Sequence, residues 1–284
     1  MPHLDVTSNL FVGEYQQPEQ DHRQTDIVVI VLGGSEGGMP KGWGQWFREM
    51  GYPTLTVAYF GVDGLPPRLD RVPVEAVVDA VAWLKGRPEL RSARVVVYGG
   101  SKGAELALLA ASKCPEITGV IVFSPSHVVW QGIPEVFWPP RSSWTWRGEP
   151  VPFVPYPWWP IPDLDTPGDL RKMYEQALKQ ELLVDPALIE VEAIDGPVLV
   201  FSGGDDQVWP SQKMAELIVE RLDESGFLHA VEHVNYPEAG HAFVPLTERQ
   251  RALLGGTPEA NAAAGEDSRE RVRRFLARLE DDSH

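Results

Sequence analysis

An α/β fold with a mostly parallel central sheet and helices on both faces is what this sequence predicts. Three observations carry the prediction. Short β-branched runs alternate with stretches of helical period. The 284 residues are 43 % hydrophobic and 23 % charged, an ordinary globular balance. A single cysteine, Cys114, excludes a disulfide framework, so packing alone must hold the fold. One core can absorb a chain of this length, and a single domain over 1–284 is expected.

Along the chain, Ile27–Leu32, Thr54–Ala58, Arg94–Tyr98, Gly119–Phe123, Val198–Phe201 and Ala230–Val234 read as strands. Leu10–Glu14 reads as an additional N-terminal edge strand. Between them Trp43, Trp46, Phe47 and Met50 recur at helical spacing, as do Val74, Val77, Val78 and Val81. Met214, Leu217, Ile218 and Leu222 repeat the pattern, and Val272, Phe275, Leu276 and Leu279 close the chain with it.

One region breaks the alternation. Pro125 to Pro167 holds eleven of the 26 prolines and six of the ten tryptophans, a density that excludes helix and strand interiors. The segment 125–190 therefore reads as an irregular Trp/Pro-rich cap inserted over the C-terminal ends of the strands, followed by a short helix around Asp169–Leu182. Its tryptophans Trp130, Trp144, Trp158 and Trp159 are expected to line a substrate-binding surface.

Charge narrows the partners. Twenty-five Lys and Arg against 41 Asp and Glu give −16, which repels nucleic acid and anionic membrane alike. The longest clean apolar run, Ile27–Leu32, is far short of the ~18 to 20 residues of a span, and Met1–Gly13 lacks a signal-peptide pattern. A soluble cytoplasmic protein acting on a small molecule is expected, with no nucleic-acid or membrane partner.

Two stretches fit G-x-S-x-G, one centred on Ser35 and one on Ser101. The chemistry needs the serine on a sharp turn between strand and helix. Val95–Tyr98 precedes Ser101 and the helix-forming Ala104–Ala111 follows it, whereas Gly37-Gly38-Met39-Pro40 after Ser35 cannot start a helix at once. Ser101 is the candidate nucleophile. Gly33–Gly38 reads instead as the loop whose N–H groups, at Gly34 or Ser35, join that of Lys102 as an oxyanion hole. It lacks the spacing of a phosphate-cradling loop.

A serine nucleophile needs a base and the base an orienting acid, in chain order Ser, acid, His. Asp205-Asp206 follows the strand Val198–Phe201, and His241 follows the strand Ala230–Val234. Either aspartate satisfies the order. His127, His229 and His233 lack such a placement, and Cys114 reads as core.

The runs Gly33–Gly38, Ala58–Pro66, Tyr98–Leu109, Ser124-Pro125-Ser126 and Ser202–Ser211 resemble the catalytic domain of the acyl-CoA thioesterase and bile acid-CoA:amino acid N-acyltransferase family. The similarity runs from about Thr25 to the C-terminus. It implies an α/β-hydrolase fold, dienelactone-hydrolase-like, with the nucleophile on Ser101, the base on His241 and the acid on Asp206 rather than Asp205. Serine at 101 resembles the hydrolytic members and disfavours N-acyl transfer. Members acting on long fatty or bile acyl-CoA carry an N-terminal β-rich domain, whereas about 26 residues precede the first central strand here. The acyl group is therefore not carried over from the resemblance.

The expectation is a serine hydrolase of an acyl thioester or ester, needing no metal or redox cofactor. The same acyl-enzyme intercepted by an amine or hydroxyl gives an acyltransferase or cyclase, and a silent site gives a hydrophobic-ligand-binding protein. A coenzyme A moiety would need local cations, with Lys41, Arg68, Arg71, Arg141 and Arg147 as candidates.

Overall fold

The computed structural model describes residues 3–18, 25–135, 138–157, 162–163 and 165–281. The chain opens with β1 (His3–Thr7) and β2 (Val12–Gln16), then runs β3 (Ile27–Leu32), α1 (Lys41–Glu49), β4 (Thr54–Ala58), β5 (Val72–Pro73) and α2 (Glu75–Lys85). Next come β6 (Arg94–Gly100), α3 (Lys102–Ala111) and β7 (Ile117–Phe123). The segment 125–190 carries β8 (Trp144–Trp146), β9 (Glu149–Pro150), α4 (Asp169–Ala177) and α5 (Glu181–Val184). The chain closes with β10 (Val198–Gly203), α6 (Ser211–Glu224), β11 (Val231–Tyr236), α7 (Glu248–Leu254) and α8 (Pro258–Asp281).

Eight strands form the central sheet in the order β1-β2-β4-β3-β6-β7-β10-β11. From β4 to β11 every neighbouring pair is parallel, while β1 and β2 pair antiparallel at one edge. The central strands are apolar at consecutive positions because both faces are covered. Val28, Ile30, Val97 and Val200 face α2, α3 and α6, whereas Val29, Val31, Val96 and Phe201 face α1 and α8. Strand order reverses between β3 and β6, and the loops at these C-terminal strand ends carry the residues of interest.

The N-terminal expectation shifts. A strand does form there, but it is Val12–Gln16, and it is second from the edge because the unforeseen β1 covers it. Three of the five β1 residues are exposed, so no apolar alternation announces it. The segment 125–190 is less irregular than its prolines suggest: β8 pairs with β5 and β9 in a small separate sheet. The single short helix expected over Asp169–Leu182 is two, α4 and α5, and Leu182 is exposed. No helix among the described residues is long and apolar enough to cross a membrane.

Candidate active site

Ser101 occupies the turn between β6 and α3 with φ 55° and ψ −122°, a strained conformation that lifts its side chain off the sheet. Glycine at two flanking positions makes the turn feasible. A Cβ on Gly99 would lie 2.1 Å from the carbonyl oxygen of Gly103, and one on Gly103 would lie 2.2 Å from that of Gly33. Ser35, by contrast, is exposed on a turn with no helix behind it until Lys41.

The loop after β11 brings His241 to Ser101, with Nε2 2.9 Å from Ser101 Oγ. On the far side of the ring Nδ1 lies 2.8 Å from Asp206 Oδ2. An ionised carboxylate can only accept, so Nδ1 carries the proton and Nε2 is free to accept from the serine hydroxyl. Asp206 is fully buried, and its other oxygen accepts the N–H groups of Val208 (2.9 Å) and Trp209 (3.2 Å). Asp205 points elsewhere, to Gln207 and the N–H of Gly256, and is exposed.

Residues not singled out from the sequence hold this constellation. Ser124 Oγ donates to the His241 carbonyl at 2.8 Å, and the Trp209 ring meets the imidazole edge-on at 5.6 Å. Arg171, from α4, donates to the Asp206 carbonyl at 2.7 Å. The glycine loop is pinned by buried Tyr59, whose hydroxyl donates to the Gly33 carbonyl at 2.5 Å. Burial pushes that phenol well above its ordinary pKa and keeps it a donor.

The N–H groups expected at the oxyanion hole differ in their partners. The Gly34 N–H donates to the Glu36 carboxylate at 3.0 Å, so it is already engaged. The N–H of Lys102 lies at the first position of α3, where no intrahelical acceptor exists. The Lys102 side chain turns inward and pairs with Glu105 at 2.6 Å, both buried. Burial pulls Lys102 below its ordinary pKa and pushes Glu105 above its own, each opposed by the partner's charge.

Two cap expectations are overturned. Trp130 and Trp144 are fully buried and present no ring to a ligand. The indole of Trp130 donates to Ser126 Oγ at 2.8 Å and that of Trp144 to Glu105 at 2.7 Å. Such internal acceptors let loop indoles join the core. Trp158 and Trp159 lie outside the described residues. Three of the candidate cations have carboxylate partners: Lys41 pairs with Glu14, and Arg71 and Arg141 share Asp70, while Arg147 stacks over Trp146. Arg68 is exposed. Cys114 is buried in the core, which pushes its thiol up to about 11.

A parallel sheet covered on both faces, with Ser101 on a strained strand-to-helix turn facing His241 and Asp206, is an α/β-hydrolase fold. Residues 72–280 match the family described as BAAT / Acyl-CoA thioester hydrolase C terminal, and the chain belongs to that family. It is 28 % identical to acyl-coenzyme A thioesterase 1 of Rattus norvegicus over 264 residues, covering 87 % of this chain and 58 % of the relative. It is also 28 % identical to the mitochondrial acyl-coenzyme A thioesterase 2 of Mus musculus over 263 residues, covering 87 % and 54 %. The chain thus spans a little over half the length of these curated relatives. Among solved structures, the Pyrococcus furiosus esterase Pf2001 superposes with a TM-score of 0.58 at 18 % identity, covering 97 % of this chain and 91 % of that one. The dienelactone hydrolase-like promiscuous phosphotriesterase P91 gives 0.57 at 14 % identity, covering 98 % and 97 %. Both carry the same fold.

Proposed function

We propose that this chain is a serine hydrolase of acyl thioesters or esters, with coenzyme A thioesters as the substrate class and Ser101 as nucleophile. The observation that carries the reading is the 2.9 Å approach of Ser101 Oγ to His241 Nε2, with a buried carboxylate on the opposite ring nitrogen. Membership of the acyl-CoA thioester hydrolase family supports the leaving group.

In this reaction Ser101 passes its proton to His241 Nε2 while Oγ bonds the acyl carbon. Asp206 holds the ring in the required tautomer and stabilises its cation. The carbonyl electron pair becomes an oxyanion facing the N–H groups of Ser35 and Lys102. Its collapse breaks the acyl–sulfur or acyl–oxygen bond, and the leaving group takes the proton from His241. Water then gives a proton to His241 and attacks the acyl-serine, releasing the acid and restoring Ser101. One folded unit over 1–284, with 125–190 as its cap, belongs to the same proposal.

The test is active-site labelling by a fluorophosphonate together with turnover of acyl-CoA thioesters and aryl esters. Labelling of the wild-type protein at Ser101, abolished in Ser101→Ala along with turnover, is the expected result. A protein that neither labels nor turns over either substrate is a hydrolase-fold binding protein, and the proposal fails. Amide or lactone formation in place of free acid would instead make it a transferase or cyclase.

A further inference from the structure

Both oxygens of Glu105 are engaged by groups from different parts of the chain. Oε2 accepts from the Lys102 ammonium at 2.6 Å. Oε1 accepts from the Trp130 backbone N–H at 3.0 Å and from the Trp144 indole at 2.7 Å. All four residues are buried, with Glu105, Trp130 and Trp144 fully so. A carboxylate with three donors in a dry interior is a fixed point, because losing any partner leaves a buried polar group unmatched.

That fixed point touches both halves of the Ser101 surroundings. Lys102 is the residue whose N–H follows the serine, and its side chain is drawn back along α3 by Glu105. The Lys102 ammonium lies 5.4 Å from the Trp144 ring centre, and Trp144 packs on Tyr59 at 5.8 Å. The Tyr59 hydroxyl in turn holds the Gly33 carbonyl in the opposing loop. Backbone closes the circuit, since Gly103 lies flush against Gly33.

We infer that Glu105 is a positioning residue: it ties the cap to the first turn of α3 and thereby sets the distance between the Lys102 N–H and the Gly33–Ser35 loop across Ser101. A simple structural pair is the alternative, and it makes different predictions. Buried ion pairs are often neutral for stability when replaced as a unit, so stability alone does not explain a charged pair beneath a nucleophile. Glu105 never meets substrate; it acts through Lys102 and Trp144. The inference rests on the serine-hydrolase reading above only in its catalytic readout.

The experiment compares wild type, Glu105→Gln and Trp144→Phe, each assayed well below its melting temperature and normalised to folded protein. Glu105→Gln is expected to lower kcat about tenfold or more, as misplacing an oxyanion donor does, with KM within about twofold. The midpoint of its kcat/KM pH profile should not move, because the His241–Asp206 contact is untouched. Trp144→Phe removes one donor while keeping most of the ring, and it serves if Glu105→Gln does not fold. It should lower kcat by about threefold to tenfold. Full kcat in folded Glu105→Gln or Trp144→Phe, or a loss only of melting temperature, overturns the inference. Amide hydrogen exchange provides a readout independent of activity: exchange at Lys102 and Gly103 should accelerate in the variants relative to α8. If the wild type turns over nothing, the hydrolase reading fails while this exchange comparison still decides the positioning claim; unaltered exchange then sinks it.

Discussion

Asp206 Oδ2 lies 2.8 Å from His241 Nδ1, and the same carboxylate accepts the N–H groups of Val208 and Trp209 through Oδ1. The second contact matters as much as the first. It fixes the carboxylate plane through the backbone of its own loop, so the imidazole meets an acceptor that cannot rotate away. Asp205, one residue earlier, spends its carboxylate on Gln207 and Gly256.

These contacts separate the two aspartates experimentally. Asp206→Asn should lower kcat strongly, by up to ~10⁴ on the serine-protease precedent, because an amide that donates here would enforce the wrong tautomer. Asp205→Asn should cost little in kcat and something in melting temperature, through the lost Gly256 tether. Steady-state kinetics on both folded variants check this, and the reverse ranking would move the acid to Asp205.

The glycines of the Ser101 turn make a second, purely steric prediction. A methyl group on Gly103 would press within 2.2 Å of the Gly33 carbonyl, whereas one on Gly100 meets nothing nearer than the Tyr98 hydroxyl at 4.0 Å. Gly103→Ala should therefore lose about 1–3 kcal/mol of stability and most of its activity, since backbone must move on both sides of Ser101. Gly100→Ala should stay near wild type. Urea melts and kinetics on the pair decide it, and equal behaviour would contradict the packing described.

Much of this was legible because the informative residues follow apolar strands. Ser101, Asp206 and His241 each come after a run that reads as a strand, the first two after buried apolar ones, and parallel strands bring their C-terminal ends to one edge. What separates Asp205 from Asp206 is the direction of a turn, and adjacent identical residues carry no signal of it. Glu105 was missed because a Lys and a Glu three apart ordinarily read as a solvated pair on an exposed helix face. The clue was present in Ala104, Leu106, Ala107, Leu108 and Leu109, which make α3 apolar all round and leave no wet face for the charges. Trp130 and Trp144 were misread because loops normally run over the surface. Here buried carboxylate and hydroxyl acceptors at Glu105 and Ser126 draw their indoles inward.

Glu36 yields a third prediction. Its exposed carboxylate is fixed on the Gly34 N–H, and Gly34 lies so near Ser101 that a Cβ there would be 3.4 Å from the serine's own. A negative charge at that position repels a polyanionic coenzyme A moiety. Glu36→Gln keeps an oxygen for Gly34 and removes the charge, so kcat/KM for acyl-CoA substrates should rise roughly threefold at low ionic strength and converge on wild type at high salt. Neutral aryl esters should gain little. Equal gains on both substrates would mean that repulsion of the coenzyme A charge is not responsible.

His127 carries the last prediction, which concerns stability against pH. Its ring is buried and Nδ1 has no hydrogen-bond partner, so desolvation, aided by nearby Lys213, lowers its pKa to about 4. His233 is shifted in the same direction by burial. In the unfolded chain a histidine takes up its proton near pH ~6.5, so between about 6.5 and about 4 the unfolded state binds protons that the folded state refuses. Stability is accordingly complete above the higher value and falls as pH drops through that window, by up to about 3 kcal/mol for His127 if the full shift is expressed. Replacement by a side chain that does not titrate removes this slope whatever it does to packing. The melting temperature of His127→Asn should therefore vary less between pH 7 and pH 5 than that of the wild type, even if the variant is less stable at pH 7. Thermal melts across that range supply the comparison. Parallel curves for the two proteins would show that His127 is protonated as readily in the folded state as in the unfolded one, and its burial would then contribute nothing to the pH dependence.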